Sequence, residues 1–296
     1  MTRELSVVAE GFSYLECPRW HDGRLWLSDF YTKRVLTVDD RGRIETVADV
    51  PQQPSGSGWL PDGRLLVVSM RDHRLLRREP DGELVEHADL SDLATGHLND
   101  MVVDAQGRAY VGNFGFDLMA GEAVQAASLL RVDPDGSAQV AAQDLLFPNG
   151  AAFLPDGTFV VAETFGRRIT AFTQAEDGTL TDRRTWASFG EPAQGPDIAD
   201  FVAAGPGAPD GLCGDAEGAV WVADALGARV LRVAEGGEIL EDLPIGTGVF
   251  ACMLGGEDRR TLYLCTAPSF AEHERRDTRE AQLLSCRVDV PGAGLP

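Results

Sequence analysis

The stretch Pro148–Thr164 reads PNGAAFLPDGTFVVAET. A polar Asn-Gly entry leads into a short apolar run, a Pro-Asp-Gly turn and a second apolar run. Asp-Gly tolerates the positive φ that hairpin turns need, so the stretch predicts a strand, a tight turn and a returning strand. The phrase recurs outward from here, at Trp20–Phe30 (WHDGRLWLSDF), Trp59–Met70 (WLPDGRLLVVSM), Val103–Phe114 (VDAQGRAYVGNF) and Gly214–Ala225 (GDAEGAVWVADA). Its turn glycines, Gly23, Gly63, Gly107, Gly157 and Gly218, stand 40, 44, 50 and 61 residues apart. A looser sixth copy runs from Phe250 to Ala267, with Gly255-Gly256-Glu257-Asp258 as its turn.

A second hairpin follows most copies, as at Arg34–Val50, Arg74–Leu90, Ser128–Leu145 and Arg229–Ile245. Four short strands in roughly 40–50 residues is the period of a propeller blade. Six units predict an all-β, six-bladed β-propeller with four antiparallel strands per blade, one domain over residues 1–296. The last unit supplies three strands, Phe250–Leu254, Leu262–Cys265 and Leu283–Val290. The run Glu4–Ala9 can supply the fourth and close the ring, which removes bare edge strands. Trp26, Trp186 and Trp221 fall in strand-like runs and are expected between blades. The longest insertions, Gly115–Ala127 and Gly190–Pro209, lack strand patterning and are where function tends to sit. Gly190–Pro209 is the candidate lid, a disordered connector being the alternative.

At 296 residues, 44% apolar content supports a sizeable core. The net charge of −21 argues against nucleic acid or an anionic membrane as partner. No apolar run approaches the roughly 20 residues of a membrane helix. The N-terminal Met-Thr-Arg-Glu-Leu-Ser has no apolar signal region, so the expected location is cytoplasmic. The five cysteines include no Cys-x-x-Cys pair and are expected to be reduced.

In a propeller the first strand of every blade lines the central channel. Four residues before Trp20, Trp59, Val103, Phe153 and Gly214 stand Glu16, Ser55, Asn99, Asn149 and Asp210. Blade six would contribute Gly246–Phe250, with no clear ligand. Each residue alone has a bland explanation, since Asn149-Gly150, Asn99-Asp100 and Asp210-Gly211 are turn dipeptides. Together they place oxygens at one height, where Glu16 and Asp210 would repel without a cation. A metal site is the better reading. Carboxylate and amide oxygens suit Ca²⁺ first, then Mg²⁺ or Mn²⁺, with Zn²⁺ possible. Three or four protein ligands leave positions for water and substrate.

Glu16-Cys17-Pro18-Arg19-Trp20, Asn99-Asp100 with Asp104, Pro148-Asn149-Gly150 and Pro209-Asp210-Gly211-Leu212-Cys213 resemble the four motifs of the senescence-marker-protein/gluconolactonase/regucalcin (LRE-like) family. The resemblance spans essentially the whole chain. It implies a six-bladed propeller with a divalent cation on its axis, and lactone hydrolysis. It matches Glu16, Asn149 and Asp210 to the metal ligands, Asn99 to the residue touching substrate or water, and Asp117 to an acidic substrate contact. There are departures. His97 stands where sugar-lactone members carry Arg, which argues against gluconolactone itself as substrate. Cys17 replaces a small residue such as Gly.

The expected function is a divalent-metal-dependent hydrolase opening a small-molecule lactone or ester. The cation would polarise the carbonyl, Asp210 would take a proton from the attacking water, and Asn99 would orient water or carbonyl. His97 would contact substrate or shuttle a proton, or lie on the surface. His21, His73, His87 and His273 are expected to face solvent. Asp100 supports the ligands or satisfies turn backbone. No Gly-x-Ser-x-Gly elbow, phosphate-binding lysine loop or dinucleotide fingerprint is evident. The alternatives are a metal-dependent phosphotriesterase-like hydrolase and a non-enzymatic Ca²⁺-binding propeller.

Overall fold

Turn chemistry builds the strands. Asp156 Oδ1 accepts the Thr158 N–H at 2.9 Å while Gly157 sits at φ +84°, so the Pro-Asp-Gly turn closes on its own side chain. Asp62, Asp135 and Asp258 grip the residue two places on in the same way. A computed structural model describes residues 3–294 apart from 119, 193, 194 and 196. Its strands form six four-stranded antiparallel sheets.

Strand β1 (Ser6–Phe12) precedes the first blade. Blade one is β2 (Leu15–His21), β3 (Arg24–Asp29), β4 (Arg34–Val38) and β5 (Ile44–Asp49). Blade two is β6 (Pro54–Trp59), β7 (Leu65–Ser69), β8 (Arg74–Arg78) and β9 (Leu84–Asp89). Blade three is β10 (Leu98–Val103), β11 (Ala109–Asn113), β12 (Ala127–Val132) and β13 (Ala138–Leu145). Blade four is β14 (Pro148–Phe153), β15 (Thr158–Glu163), β16 (Arg168–Gln174) and β17 (Leu180–Ser188). After the short helix α1 (Ile198–Ala203), blade five is β18 (Pro209–Gly214), β19 (Val220–Asp224), β20 (Arg229–Val233) and β21 (Ile239–Pro244). Blade six is β22 (Gly248–Gly255), β23 (Thr261–Ala267) and, past helix α2 (Glu272–Arg275), β24 (Ala281–Arg287).

As expected, β1 completes blade six, pairing antiparallel with β24 from Ser6↔Ser285 to Phe12↔Ala281. The closing strand starts two residues later than Glu4 and runs to Phe12, and β24 ends at Arg287 rather than Val290. The first strands β2, β6, β10, β14, β18 and β22 touch their neighbours in one closed cycle around the axis.

Burial falls outward along each blade. Strands β7, β11 and β19 are buried at every residue, whereas β5 and β21 are mostly open to solvent. This is why second strands read as continuous apolar runs and outer hairpins carry the charge. Trp186 and Trp221 are buried in the core, and Trp26 meets Trp59 edge-on across blades one and two at 5.3 Å. His273 is exposed, but His21, His73 and His87 are half-buried, contrary to expectation: His21 stacks on Trp59 at 3.8 Å and His87 Nδ1 meets Arg77. All five cysteines are free and buried. Among the described residues no helix is long and apolar enough to cross a membrane.

Candidate metal centre and active site

Every first strand breaks register with its second strand at the same height. The skips fall between Glu16 and Arg19, Pro54 and Ser57, Leu98 and Met101, Pro148 and Ala151, Pro209 and Leu212, and Val249 and Ala251. A bulge re-aims a side chain that regular pleating would turn into the sheet. The residues beside these skips are Glu16, Ser55, Asn99, Asn149, Asp210 and, in blade six, Phe250. All six are buried.

This corrects the turn-dipeptide explanation of Asn149-Gly150, Asn99-Asp100 and Asp210-Gly211, which lie inside β14, β10 and β18. The two glycines answer to the neighbouring blade instead. A Cβ on Gly150 would lie 2.6 Å from Leu212 N and 2.7 Å from Asp210 O, and one on Gly211 would lie 2.6 Å from Ala251 Cα. Cys17 follows Glu16 at φ +51°, the left-handed region that Gly adopts more easily.

Hydrogen bonds fix what each amide offers. Thr164 gives its one hydroxyl proton to Pro209 O at 2.8 Å, so it can only accept from Asn149, whose Nδ2 donates to it at 3.1 Å. Asn149 is thereby left with its oxygen to present. Asn99 is the converse: its Oδ1 accepts from Ser55 Oγ at 3.3 Å, leaving its NH₂ to present. The Ser55 hydroxyl lies 3.4 Å from Cys17 Sγ.

Glu16 Oε2 accepts its neighbour's Cys17 N–H at 3.2 Å. Asp210 Oδ1 is buried without any hydrogen-bond partner. Among the described residues neither carboxylate has an ion-pair partner, because the nearby Arg19 is spent on Asp100 Oδ1 at 2.8 Å. Asp100 also accepts the Met101 N–H at 2.8 Å, so it serves both the expected backbone role and a buried ion pair. Burial, then the charges of Asp210 and Asp100, push the Glu16 carboxyl well above its usual range. Burial and Asp100 do the same to Asp210, against the opposing pull of the Asn149 amide and the Gly211 N–H.

Two buried acids that resist ionisation, one with an orphaned oxygen, and an amide oxygen beside them form a donor set that fits a hard divalent cation. Among the described residues no group of three or more His, Cys, Asp or Glu gathers at metal-holding distance.

Above this floor opens a narrow pocket of about 80 Å³. Glu16, Asn99, Asn149, Thr164 and Asp210 form its polar base. Leu118 of the first long insertion and Ile198 and Phe201 of α1 in the second form part of its wall. Residues 193, 194 and 196 of the candidate lid lie outside the described residues. His97 and Asp117 do not line the pocket. His97 is half-buried behind Phe114, ring to ring at 6.3 Å, and Asp117 Oδ1 accepts the Ala120 N–H within its own turn. Burial lowers the His97 pKa, with Asp117 working against it.

Sequence reasoning missed one set of residues. Second strands end on acids in three blades: Asp29, Glu163 and Asp224, all buried. Asp29 Oδ1 takes the N–H groups of Ser13 and Tyr14 at 3.1 Å each. Glu163 Oε2 takes that of Leu146 at 2.8 Å, and Asp224 takes those of Gly207 and Ala208 at 2.9 and 3.0 Å. Each acid therefore pins the segment two or three residues ahead of Glu16, Asn149 or Asp210. The signal stood in the repeats as LSDF, VAET and VADA.

The sequence profile described as the SMP-30/Gluconolactonase/LRE-like region matches residues 15–268. A 6-deoxy-6-sulfogluconolactonase of Pseudomonas putida is 28% identical over 312 aligned residues, covering 100% of this chain and 99% of that one. The pentonolactonase XacC of Haloferax volcanii is 29% identical, covering 95% of this chain and 92% of its own. A crystal structure described as a calcium-binding protein, regucalcin, from Agrobacterium tumefaciens superposes with a TM-score of 0.80 at 20% identity, over 100% of this chain and 97% of that one. Ring of blades, motif order and profile agree: the chain belongs to the SMP-30/Gluconolactonase/LRE-like family.

Proposed function

We propose that the protein opens lactones by hydrolysis, with Glu16, Asn149 and Asp210 holding one divalent cation, Ca²⁺ before Mg²⁺, Mn²⁺ or Zn²⁺. The observation that carries this is the pair of buried carboxyls at the pocket floor with no basic partner, Asp210 Oδ1 having none of any kind. The family membership and the lactonase names of the two relatives support the reaction.

When bound, the cation would offset the two carboxylate charges and supply Lewis-acid polarisation of an ester carbonyl. The chain's own groups do the rest. Asp210 accepts a proton from the attacking water. The Asn99 NH₂, freed by Ser55, donates toward the carbonyl oxygen as charge develops there. The water oxygen bonds to the acyl carbon, the acyl C–O bond breaks, and the ring oxygen leaves with a proton as the alcohol of a hydroxy acid. Asp100 holds Arg19 below the floor, and His97, packed behind Phe114, is given no step.

The test is ring opening of a lactone panel followed by pH indicator, together with calorimetric Ca²⁺ titration, on wild type, Asp210→Ala and Asn149→Ala. Chelation should abolish turnover, and both variants should lose cation affinity. Turnover that survives chelation and both substitutions sinks the proposal. Firm Ca²⁺ binding by a protein that opens no lactone or phosphotriester would favour a calcium-binding propeller, the description carried by the Agrobacterium neighbour.

A further inference from the structure

The pocket walls are aromatic to a degree that the floor chemistry does not require. Seven of the chain's 13 phenylalanines line this one cavity. They come from unrelated places: Phe30, Phe114 and Phe165 just after second strands, Phe147 just before a first strand, Phe201 from α1, Phe250 from β22 and Phe270 between β23 and α2. Four of them form one continuous face, with Phe114–Phe147 at 4.5 Å, Phe147–Phe165 at 5.3 Å and Phe165–Phe201 at 4.3 Å. Opposite, Tyr14 joins Phe250 at 4.9 Å to Phe30 at 5.4 Å.

Polar groups are correspondingly scarce. Among the described residues lining the pocket there is no Lys, Arg, His or Gln. The Tyr14 hydroxyl is turned to the Glu16 carboxylate at the floor, and above it Tyr31 points its hydroxyl at Phe270 O, 3.5 Å away. A polyhydroxylated or sulfonated lactone would bury its hydroxyls or sulfonate against phenyl rings without donors or cations to meet them. An alkyl or aryl substituent would bury the same area with no such loss.

From this wall we infer that the substrate is a lactone or cyclic ester bearing an apolar alkyl or aryl substituent, not a sugar-acid lactone of the kind named for the two relatives. The inference takes its reaction from the lactone-opening reading and its ligand class from the pocket alone. A small polar ester group reaches Asn99 and Asp210 at the floor, and the apolar substituent lies along Phe147, Phe165 and Phe201.

Two measurements on the Ca²⁺-supplemented protein separate these parts. The first compares kcat/KM for δ-decalactone and dihydrocoumarin with that for glucono-δ-lactone, and the apolar pair should lead by 100-fold or more, on the order of what several buried methylenes contribute. The second is calorimetric binding of 6-pentylpiperidin-2-one, the unreactive lactam of δ-decalactone, against gluconolactam. Lactam binding without turnover of any lactone upholds the ligand class and overturns the lactonase reading. A preference for the sugar compounds in either assay, or no binding of the alkyl lactam, overturns the ligand class and leaves the reaction standing. Phe201→Ser, outside the blade strands, should cut the decalactone-to-gluconolactone ratio by about tenfold. An unchanged ratio, or an unchanged alkyl-lactam affinity in that variant, also overturns it.

Discussion

Blades one, four and five end their second strands on Asp29, Glu163 and Asp224, whereas blades two and six end theirs on Ser69 and Ala267. The first group carries Glu16, Asn149 and Asp210 on its inner strands; the second carries Ser55 and Phe250. All these blades have the same four strands and the same bulge, so folding alone does not ask for the acids. A buried carboxylate that collects several N–H groups is expensive to desolvate and repays that only by fixing the segment it holds. The braces therefore occur where an inward-facing oxygen must be held against its neighbours' charge, and are omitted where it need not be. Blade three is intermediate: Asn113 accepts the Gly115 N–H at 3.0 Å and donates to Ser128 O at 2.7 Å, which suits a residue that presents an uncharged NH₂.

The comparison can be broken in several ways. The largest effect should come from the proposed ligands: Asp210→Asn should lower kcat by at least about 10³-fold, and a loss under tenfold would detach blade five from the chemistry. Next, Asp224→Ala strands the Gly207 and Ala208 N–H groups and Arg229, and should cost about 3 kcal/mol in urea denaturation. The paired control, Ser69→Ala in blade two, should cost less than about 1 kcal/mol. Equal costs would erase the distinction between braced and unbraced blades. Thr164→Val removes the acceptor that orients Asn149 and should weaken Ca²⁺ binding by about 10- to 100-fold in calorimetry, while the lost bond to Pro209 O costs about 1–3 kcal/mol of stability.

The smallest effect is the most diagnostic of the brace chemistry. Burial alone would raise the Glu163 carboxyl, but hydrogen bonds from Arg168, Thr170 and Leu146 hold it below its usual value. Its folded pKa thus lies below the unfolded one, so its stabilisation is complete above about pH 4.3 and fades as pH falls through the folded value. The stability gap between wild type and Glu163→Gln should be flat from pH 6 to 8 and narrow below about pH 4. A gap that persists unchanged to pH 3 would show that the ionised brace is irrelevant.

The fold was legible in the sequence because the information is local. An Asp-Gly turn and the two apolar runs beside it need nothing from the rest of the chain, and six repetitions of that phrase leave few architectures. The shared register of the inner-strand polar residues was legible for the same reason, since a constant offset of four residues locates Glu16, Ser55, Asn99, Asn149 and Asp210. What stayed hidden depends on partners distant in sequence. The bulge is a property of strand pairing, Gly150 and Gly211 are demanded by the next blade's backbone, and the acid braces become visible only once Leu146 or Ala208 lies beside them. His97 and Asp117 were selected by position in a motif, but the path of residues 95–118 turns Phe114 and Leu118 to the pocket instead.

The pairing of β1 with β24 has a consequence for biosynthesis. Ser6 leaves the ribosome 279 residues before Ser285, yet they are cross-strand partners. At synthesis rates of about 5–20 residues per second, the N-terminal segment waits on the order of 15 to 60 seconds for its partner. Blades one to five can assemble in that interval, each from contiguous residues, but the ring stays open on one side. Glu16 of blade one and Asp210 of blade five are separated in the ring by blade six alone, so the two carboxyls reach their final distance only when that blade docks. Emergence of β24, ring closure and the approach of the two carboxyls are in this way a single late event.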